Sequence, residues 1–582
     1  MTFRAPVADL AFALKAAGHD ALLGEAYPDL DAETVQAVLE AAGLFATDVL
    51  APLNRAGDKH GARHEGRSVK AAPGFADAYR AFAEQGWNSL SAAPEHGGQG
   101  LSKAMELAVF EMVHAANMAF GLCPMLTQAA IEALDLHGTE RHKQLILPRL
   151  ISGEWTGTMN LTEPQAGTDL AALTTRAEPD GEGGYRLYGQ KIFITWGDHD
   201  AADNICHLVL ARLPDAPPGV KGISLFLATK RLVNDDGSLG EANALYPASI
   251  EHKLGIHGSP TCVMMFEGAK AELVGELNQG LAHMFVMMNA ARLQVGVEGV
   301  GIAERAYQQA LAYAQDRRQG RSAWTGEAAA PIFDHPDIRR SLALMKARIE
   351  AARGICLMTG VLADQARLAK DEATRTGARA RQELLTPIAK AWSTDMGVEV
   401  ASMGVQIHGG MGFIEETGAA QHYRDARIGP IYEGANGVQA MDLAGRKLSM
   451  GDGAVMDELC AEMAMTAQAL TERADLAEAG RRLAEGVQAL EAATDWMLSH
   501  RGADSLAGAT PYLKLAGDVI GGWVLARQAM LAAGADDGRL KAKAGLLRIY
   551  AAQVLTGAGG LAAAVTQGAA EYEALGAEAF AV

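Results

Sequence analysis

Cysteine is scarce. Its five copies (Cys123, Cys206, Cys262, Cys356 and Cys460) lie far apart with no CxxC pair, so neither a disulfide framework nor a zinc site is expected. That usage fits a reducing cytoplasm, and no metal site is expected elsewhere. Basic residues are outnumbered as well: 51 Lys plus Arg stand against 70 Asp plus Glu, a formal charge of -19 at pH 7. A surface of that sign repels a phosphate backbone, which argues against nucleic acid as a general partner. A local basic patch can still hold the phosphates of a small anionic ligand. Long apolar runs are also lacking. The start MTFRAPVADLAFALKAAG is broken by Asp9, unlike a secretory signal, and the most apolar later stretch, near Met284 to Ile302, contains Asn289, Arg292 and Glu298. Those charges mark a buried helix, so no membrane span is expected.

What the chain has in quantity is alanine-rich, helix-favouring sequence. Its 582 residues suggest about four structural units of ~150 residues each. Helical spacing of apolar residues, as in Val35 to Leu50 and Met105 to Val113, predicts an N-terminal helical domain over 1–158. Short runs rich in Thr, Val, Ile, Phe and Tyr, punctuated by Asp180-Gly181 and Gly183-Gly184, predict a middle β-domain, a small barrel, over 159–276. Helical spacing returns near Gly280 and passes through Tyr307, Leu311, Leu342, Met345 and Ile349, which predicts a bundle over 277–449. An additional helical domain over 450–582 follows, with Pro511 and Gly521-Gly522 read as breaks and a low-complexity end from Gly557. The charge-dense stretch Arg367 to Arg379 reads as a solvated helix end or connection. The fold class is mainly α with a central β-domain.

Three constellations suit chemistry. In Met159–Asp169 (MNLTEPQAGTD), followed by Lys191–Thr195 (KIFIT), a Gly among hydroxyl residues lets the backbone approach a planar heterocycle. Thr162, Thr168 and Thr195 can bond its polar edges. An ordinary loop and two strands would look the same, and spacing alone favours that plainer reading. In Gln406–Phe413 (QIHGGMGF), three glycines beside a helical stretch allow close backbone contact with a phosphate. No predicted strand precedes them, so a nicotinamide-binding fingerprint is not supported. In Arg424–Asn436 (RDARIGPIYEGAN), Glu433 follows an apolar, Pro-containing approach. Partial desolvation there would lift a carboxylate from ~4.3 toward a useful base. Taken alone, a helix-N-terminal Glu beside an Arg424–Asp425 pair is the simpler account.

Taken together and in this order, the segments resemble the acyl-CoA dehydrogenase family. The resemblance covers about residues 30–445: PEHGGQGL from Pro94, LTEP from Leu161, KIFIT from Lys191, KLGIHGSPT from Lys253, QIHGGMG from Gln406 and RDARIGPIYEG from Arg424. The long form with its extra helical tail is most similar to the 3-methylmercaptopropionyl-CoA (3-methylthiopropanoyl-CoA) dehydrogenases of dimethylsulfoniopropionate breakdown. Such a resemblance implies a helical domain, a β-barrel domain and a four-helix bundle, with FAD bound between them and partly across a subunit interface. By position, Leu161, Thr162, Gly167 and Thr168 match the flavin-edge segment, with Thr168 also near substrate. Phe193 and Thr195 match the aromatic and hydroxyl that flank the isoalloxazine. Gln406, Gly409 and Gly410 match the segment that meets the diphosphate from a neighbouring subunit, and Arg317 matches its basic partner. Arg292 stands where relatives place an Arg near the CoA entrance. Three departures are visible: Gly320 replaces the usual Phe in a longer loop through Ala330, Ala435 replaces a Thr after Glu433-Gly434, and Phe193 replaces a Trp.

The reaction implied by the resemblance is FAD-dependent α,β-dehydrogenation of an acyl-CoA to the trans-2-enoyl-CoA, with Glu433 as the base. Electron-transfer flavoprotein is the implied acceptor, and a cytoplasmic homodimer the implied assembly. A straight-chain fatty acyl-CoA of β-oxidation is the alternative substrate. A non-dehydrogenating, DNA-associated flavoprotein would carry a basic surface or tail, and Ala454 to Val582 has no long basic run. A purely structural helical scaffold would not carry these ordered motifs.

Overall fold

A switch in hydrophobic period, from 3.6 to 2 and back, divides this chain into its elements. The computed structural model describes residues 3–23, 26–27 and 30–581. Two compact units result: a sheet unit, Glu40–Gln294, and a bundle unit, Pro6–Leu39 with Val295–Val582.

In the sheet unit the longest helix, Lys103–His137, starts where the Ser102 hydroxyl accepts the Met105 N–H at 3.1 Å. It is interrupted at Asn117 (φ -157°), whose Oδ1 accepts the Phe120 N–H at 3.1 Å and so caps the second segment. Among the described residues three helical stretches are long and apolar enough to cross a bilayer: Ala32–His60, Lys103–His137 and Gly538–Val565. The second is buried throughout its apolar window inside the protein.

The strands close on themselves. Thr261–Val274 pairs with Tyr185–Thr195, which pairs with Arg176–Pro179. That strand meets Asn204–Arg212, which pairs with Ile223–Thr229, and the last returns to Thr261–Val274. Trp155–Asn160 and Leu245–Ile250 extend the ring at its sides. A small barrel is therefore present, filled by Leu187, Val209, Phe226, Met264 and Phe266. The hairpin turn sits at Asp180, whose side chain accepts the Glu182 and Gly184 N–H groups at 2.8 and 2.9 Å.

Three buried histidines make this unit acid-sensitive. The Ala201 N–H donates to His199 Nδ1 at 3.2 Å, so His199 must be neutral and carries its proton on Nε2, facing Thr156 Oγ1 at 2.9 Å. Burial pushes His114, His199 and His207 each down to about 3 from 6.5. The unfolded chain binds these protons near 6.5 and the folded one refuses them. Stability is therefore complete above that value and is lost as pH falls from 6.5 toward 3, by roughly 1.4 kcal/mol per pH unit for each histidine. The denaturant midpoint is expected to be clearly lower at pH 5.5 than at pH 7.5. Equal midpoints would show that these rings are not held neutral.

In the bundle unit Pro336–Leu368 begins with Pro at its first turn, and Glu372–His408 begins where Asp371 accepts the Thr374 N–H at 2.8 Å. The charge-dense stretch lies at their junction. Helices Ala454–Thr471, Ala477–Ser499, Ala503–Leu531 and Gly538–Gln553 follow.

Pro511 and Gly521-Gly522 do not break the chain, contrary to expectation; all lie inside the single helix Ala503–Leu531. Packing overrides propensity here, because small residues let this helix press onto its neighbours. A Cβ on Gly517 would come within 2.2 Å of the Trp392 ring, and one on Gly521 within 2.7 Å of the Tyr550 hydroxyl. Trp392 Nε1 donates to Asp518 Oδ1 at 2.9 Å, and Tyr550 donates to the Asp518 carbonyl at 3.0 Å. Elsewhere in the unit, buried Glu350 meets Lys346, Arg353 and Lys543 at 3.0, 3.2 and 2.9 Å. Glu304 pairs with Arg353 at 3.0 Å and Asp9 with Lys346 at 2.7 Å. Three acids thus offset three bases, which is what burial of so many charges requires.

Candidate active site

Glu433 sits on a turn that a normal side chain resists. Its φ is 53° and that of Gly434 is 83°, so two successive left-handed residues reverse the chain before the helix Asn436–Asp442. A non-glycine residue in this region costs about 1–3 kcal/mol and persists only when its surroundings hold it. Those surroundings are explicit. The buried Lys390 Nζ donates to Gly429 O, Gly434 O and Asn436 Oδ1, each at 2.9 Å. Asn436 Nδ2 in turn donates to Ala391 O, Thr394 Oγ1 and Asp395 Oδ1 at 3.0, 3.0 and 2.9 Å. From the other side, the Tyr432 hydroxyl bonds both carboxyl oxygens of Glu298.

Glu298 is buried at 1% exposure, as is Asp425 at 2%, while Glu433 is half-buried. Burial pushes Glu298 up to about 8 against the opposing hydrogen bond from Tyr432 and the charge of Lys390. Sequence reading gave a functional role to neither Glu298 nor Lys390. The available signal was an ionisable residue inside a run that had to be buried: Leu293 to Ala303 for Glu298, Ile388 to Trp392 for Lys390.

In the sheet unit, Leu161 to Thr168 and Lys191 to Thr195 are brought together. The Ile192 N–H donates to Thr162 O at 2.9 Å, and Lys191 Nζ to Leu161 O at 2.9 Å. Glu163, buried beside Lys191 at 2.8 Å, also accepts from Thr174 and Thr175 through both backbone and hydroxyl, and from Gln165. Burial alone would raise the Glu163 carboxyl, but the Lys191 charge and these donors together outweigh it and hold it down to about 2.

Phe193 falls on a bulge, since Ile192 and Phe193 lie between the Lys191–Met264 and Ile194–Cys262 pairs, opposite Val263 alone. Its φ of 59° turns the ring outward to 59% exposure, the way bulges commonly re-aim a side chain beside a site. Gly167 and Thr168 are exposed, Leu161, Thr162 and Thr195 half-buried, and a Cβ on Gly167 would meet nothing within 4 Å. This surface joins an open aromatic face, hydroxyls and bare backbone, which fits the ring of a flavin. Arg292 is mostly covered, donating to Asn289 Oδ1 at 3.2 Å.

In the bundle unit, the glycine run follows the end of Glu372–His408, with Gly409 (φ 58°) as the cap. A helix C-terminus carries partial negative charge, so any phosphate contact here relies on bare backbone and cations, not on a helix dipole. Gln406, Gly409 and Gly410 are exposed, and a Cβ on either glycine would meet nothing within 4 Å. The buried His408 donates from Nδ1 to Gly404 O at 2.7 Å, which leaves Nε2 an acceptor without a partner among the described residues. Arg317 is exposed at the end of Gly280–Asp316. The longer loop after it folds back through bridges Arg318–Pro331 and Arg321–Ala328. An adenine dinucleotide's diphosphate fits such a set of open glycines and a free-standing cation.

Comparison with known proteins agrees with this chemistry. Residues 32–154, 158–269 and 278–448 match the N-terminal, middle and C-terminal domains of acyl-CoA dehydrogenase, and 459–575 match an "Acetyl-CoA dehydrogenase C-terminal like" domain. The chain is 46% identical to "3-methylmercaptopropionyl-CoA dehydrogenase" of Ruegeria pomeroyi, over 95% of this chain and 96% of that one. It is 32% identical to "Broad-specificity linear acyl-CoA dehydrogenase FadE5" of Mycobacterium tuberculosis, over 92% and 91%. Its fold matches a Bacillus anthracis acyl-CoA dehydrogenase solved with FAD, at TM-score 0.73 and 21% identity, covering 93% of this chain and 89% of that one. The chain belongs to the acyl-CoA dehydrogenase family. It is accordingly an FAD-dependent oxidoreductase that acts on an acyl-CoA.

Proposed function

We propose that this enzyme oxidises 3-methylmercaptopropionyl-CoA at its α,β bond, with Glu433 as the base, in the breakdown of dimethylsulfoniopropionate. The observation that carries the assignment of the base is the Glu433 turn, a strained carboxylate carrier over-determined by Lys390, Asn436 and Tyr432. Identity of 46% over nearly the whole length of both chains supports the sulfur-containing substrate. The linear-acyl relative, also matched along the helical extension, supports straight chains as the second reading.

The α-hydrogen of a thioester is weakly acidic, so its removal needs a base in contact and a donor at the carbonyl oxygen. Glu433 takes the proton on its carboxylate, and its backbone N–H polarises the carbonyl. Arg292 lies toward the CoA. Leu161, Thr162, Gly167, Thr168, Phe193 and Thr195 hold the flavin ring. Gln406, Gly409, Gly410 and Arg317 hold its diphosphate from a neighbouring subunit of a homodimer. FAD, when bound, would accept the β-hydrogen as hydride, that is two electrons with one proton, and electron-transfer flavoprotein would carry the two electrons away. Domains divide at 158, 276 and 449. The enzyme works in the cytoplasm, a setting consistent with five free, buried cysteines.

The test is an anaerobic titration of the purified flavoprotein with 3-methylmercaptopropionyl-, butyryl-, octanoyl- and palmitoyl-CoA, following loss of oxidised-flavin absorption. Faster bleaching by the sulfur ester than by the others is expected. Preference for a straight chain would keep the dehydrogenase and discard this substrate.

A further inference from the structure

Glu298 has no role in the reaction as described, yet its placement is unusual. It is a carboxyl at 1% exposure in the helix Gly280–Asp316, inside the bundle unit, with no cation within ion-pair distance among the described residues. The nearby Lys390 donates to Gly429 O, Gly434 O and Asn436 Oδ1, and its charge opposes the burial of Glu298 only in part. Asp425 and Glu433 add negative charge to its surroundings. A carboxyl with such neighbours is costly to bury, and an apolar residue of similar volume is the cheaper filler. What it gains is one partner, the hydroxyl of Tyr432, the residue immediately before Glu433 and 134 positions away in sequence.

We propose that Glu298 is a positioning residue for the dehydrogenation: it clamps the Tyr432 hydroxyl and thereby fixes the turn that carries Glu433. The proposal rests on the reading of Glu433 as the base. The turn has two supports of different kinds. Lys390 and Asn436 hold the backbone after Glu433, through Gly434 O and the start of Asn436–Asp442. On the side before it, Lys390 reaches Gly429 O and the Asn436 N–H reaches Pro430 O, both at 2.9 Å, while the residue next to Glu433, Tyr432, is held by its N–H to Ile428 O at 3.2 Å and by its side chain on Glu298. With both flanks held, the left-handed φ of Glu433 is maintained against its strain. With Tyr432 released, the turn relaxes toward ordinary φ values and the carboxylate swings away from its target.

Misplacing a base by about 1 Å costs on the order of 10²-fold in rate. Three variants of the holoenzyme separate this role from a packing role. Tyr432→Phe keeps the ring and removes only the clamp, Glu298→Ala removes the acceptor, and Glu298→Gln keeps an oxygen that can accept from Tyr432. Each is mixed anaerobically with acyl-CoA, and the limiting rate of flavin reduction is read apart from the substrate concentration that gives half of it. The expected result is a limiting rate roughly 10- to 100-fold lower in Tyr432→Phe and Glu298→Ala, half-saturation within about threefold of wild type, and recovery to within about threefold in Glu298→Gln. Unchanged limiting rates in Tyr432→Phe would overturn the clamp, even if Glu298→Ala failed to fold. Equal loss in Glu298→Gln and Glu298→Ala would overturn it as well. Glu433→Gln in the same series keeps the two ideas apart: inactivity there with an active Tyr432→Phe removes the clamp alone, and normal reduction there removes the base.

Discussion

Glu433→Gln is expected to leave a yellow, folded protein whose flavin is not reduced by any acyl-CoA. The substitution keeps the shape of the side chain and removes its basicity. General-base catalysis is worth about 10²–10⁴-fold, so a fall of at least about 10³-fold in the reduction rate is the expected size. Substrate binding should survive, because Lys390, Asn436 and Tyr432 hold the backbone at the turn. Stopped-flow reduction, with flavin content and melting temperature measured on the same samples, checks each part. Reduction at the wild-type rate would discard Glu433 as the base.

The second large effect lies in the sheet unit. Lys191→Met is expected to destabilise the fold and to lower flavin content together, because Lys191 Nζ serves both Glu163 and the carbonyl of Leu161. At 0% and 2% exposure the pair is inside the protein, and removing one member of a buried pair costs about 3–5 kcal/mol. At about 2–4 °C per kcal/mol for a domain of this size, the melting temperature should fall by roughly 10 °C. Flavin content should fall as the segment from Leu161 to Thr168 loses its anchor. Adding Glu163→Gln should restore part of the stability, since no unpaired charge then remains. A shift of under about 2 °C in Lys191→Met would mean the site tolerates an unpaired carboxylate.

Both predictions concern residues that the sequence made visible to different degrees. Glu433, Phe193 and the Thr162 and Gly409 segments stood out only through the family resemblance that the ordered motifs carry together, since each segment alone reads as an ordinary loop, strand or turn. Glu163 and Lys191 appeared inside those motifs without their partnership being apparent. The contact that joins them crosses 28 residues, and no local pattern encodes it. The breaks read at Pro511 and Gly521-Gly522 failed for the same reason: propensity describes a residue beside its chain neighbours, whereas Trp392 and Tyr550 approach from other helices.

By itself, the sequence determined the helical and strand regions and the small barrel, because periodicity is a short-range property of a chain, and its ordered motifs together carried the family resemblance that pointed to Glu433. Only the tertiary structure decided which buried polar groups meet. It put Glu298 against Tyr432, gave three acceptors to Lys390, turned Phe193 outward on a bulge and ran one helix through Pro511 and two glycines. The physical reason is that a buried charge or hydroxyl must find its partner in space, and where the chain crosses itself is set by the packing of whole helices and strands.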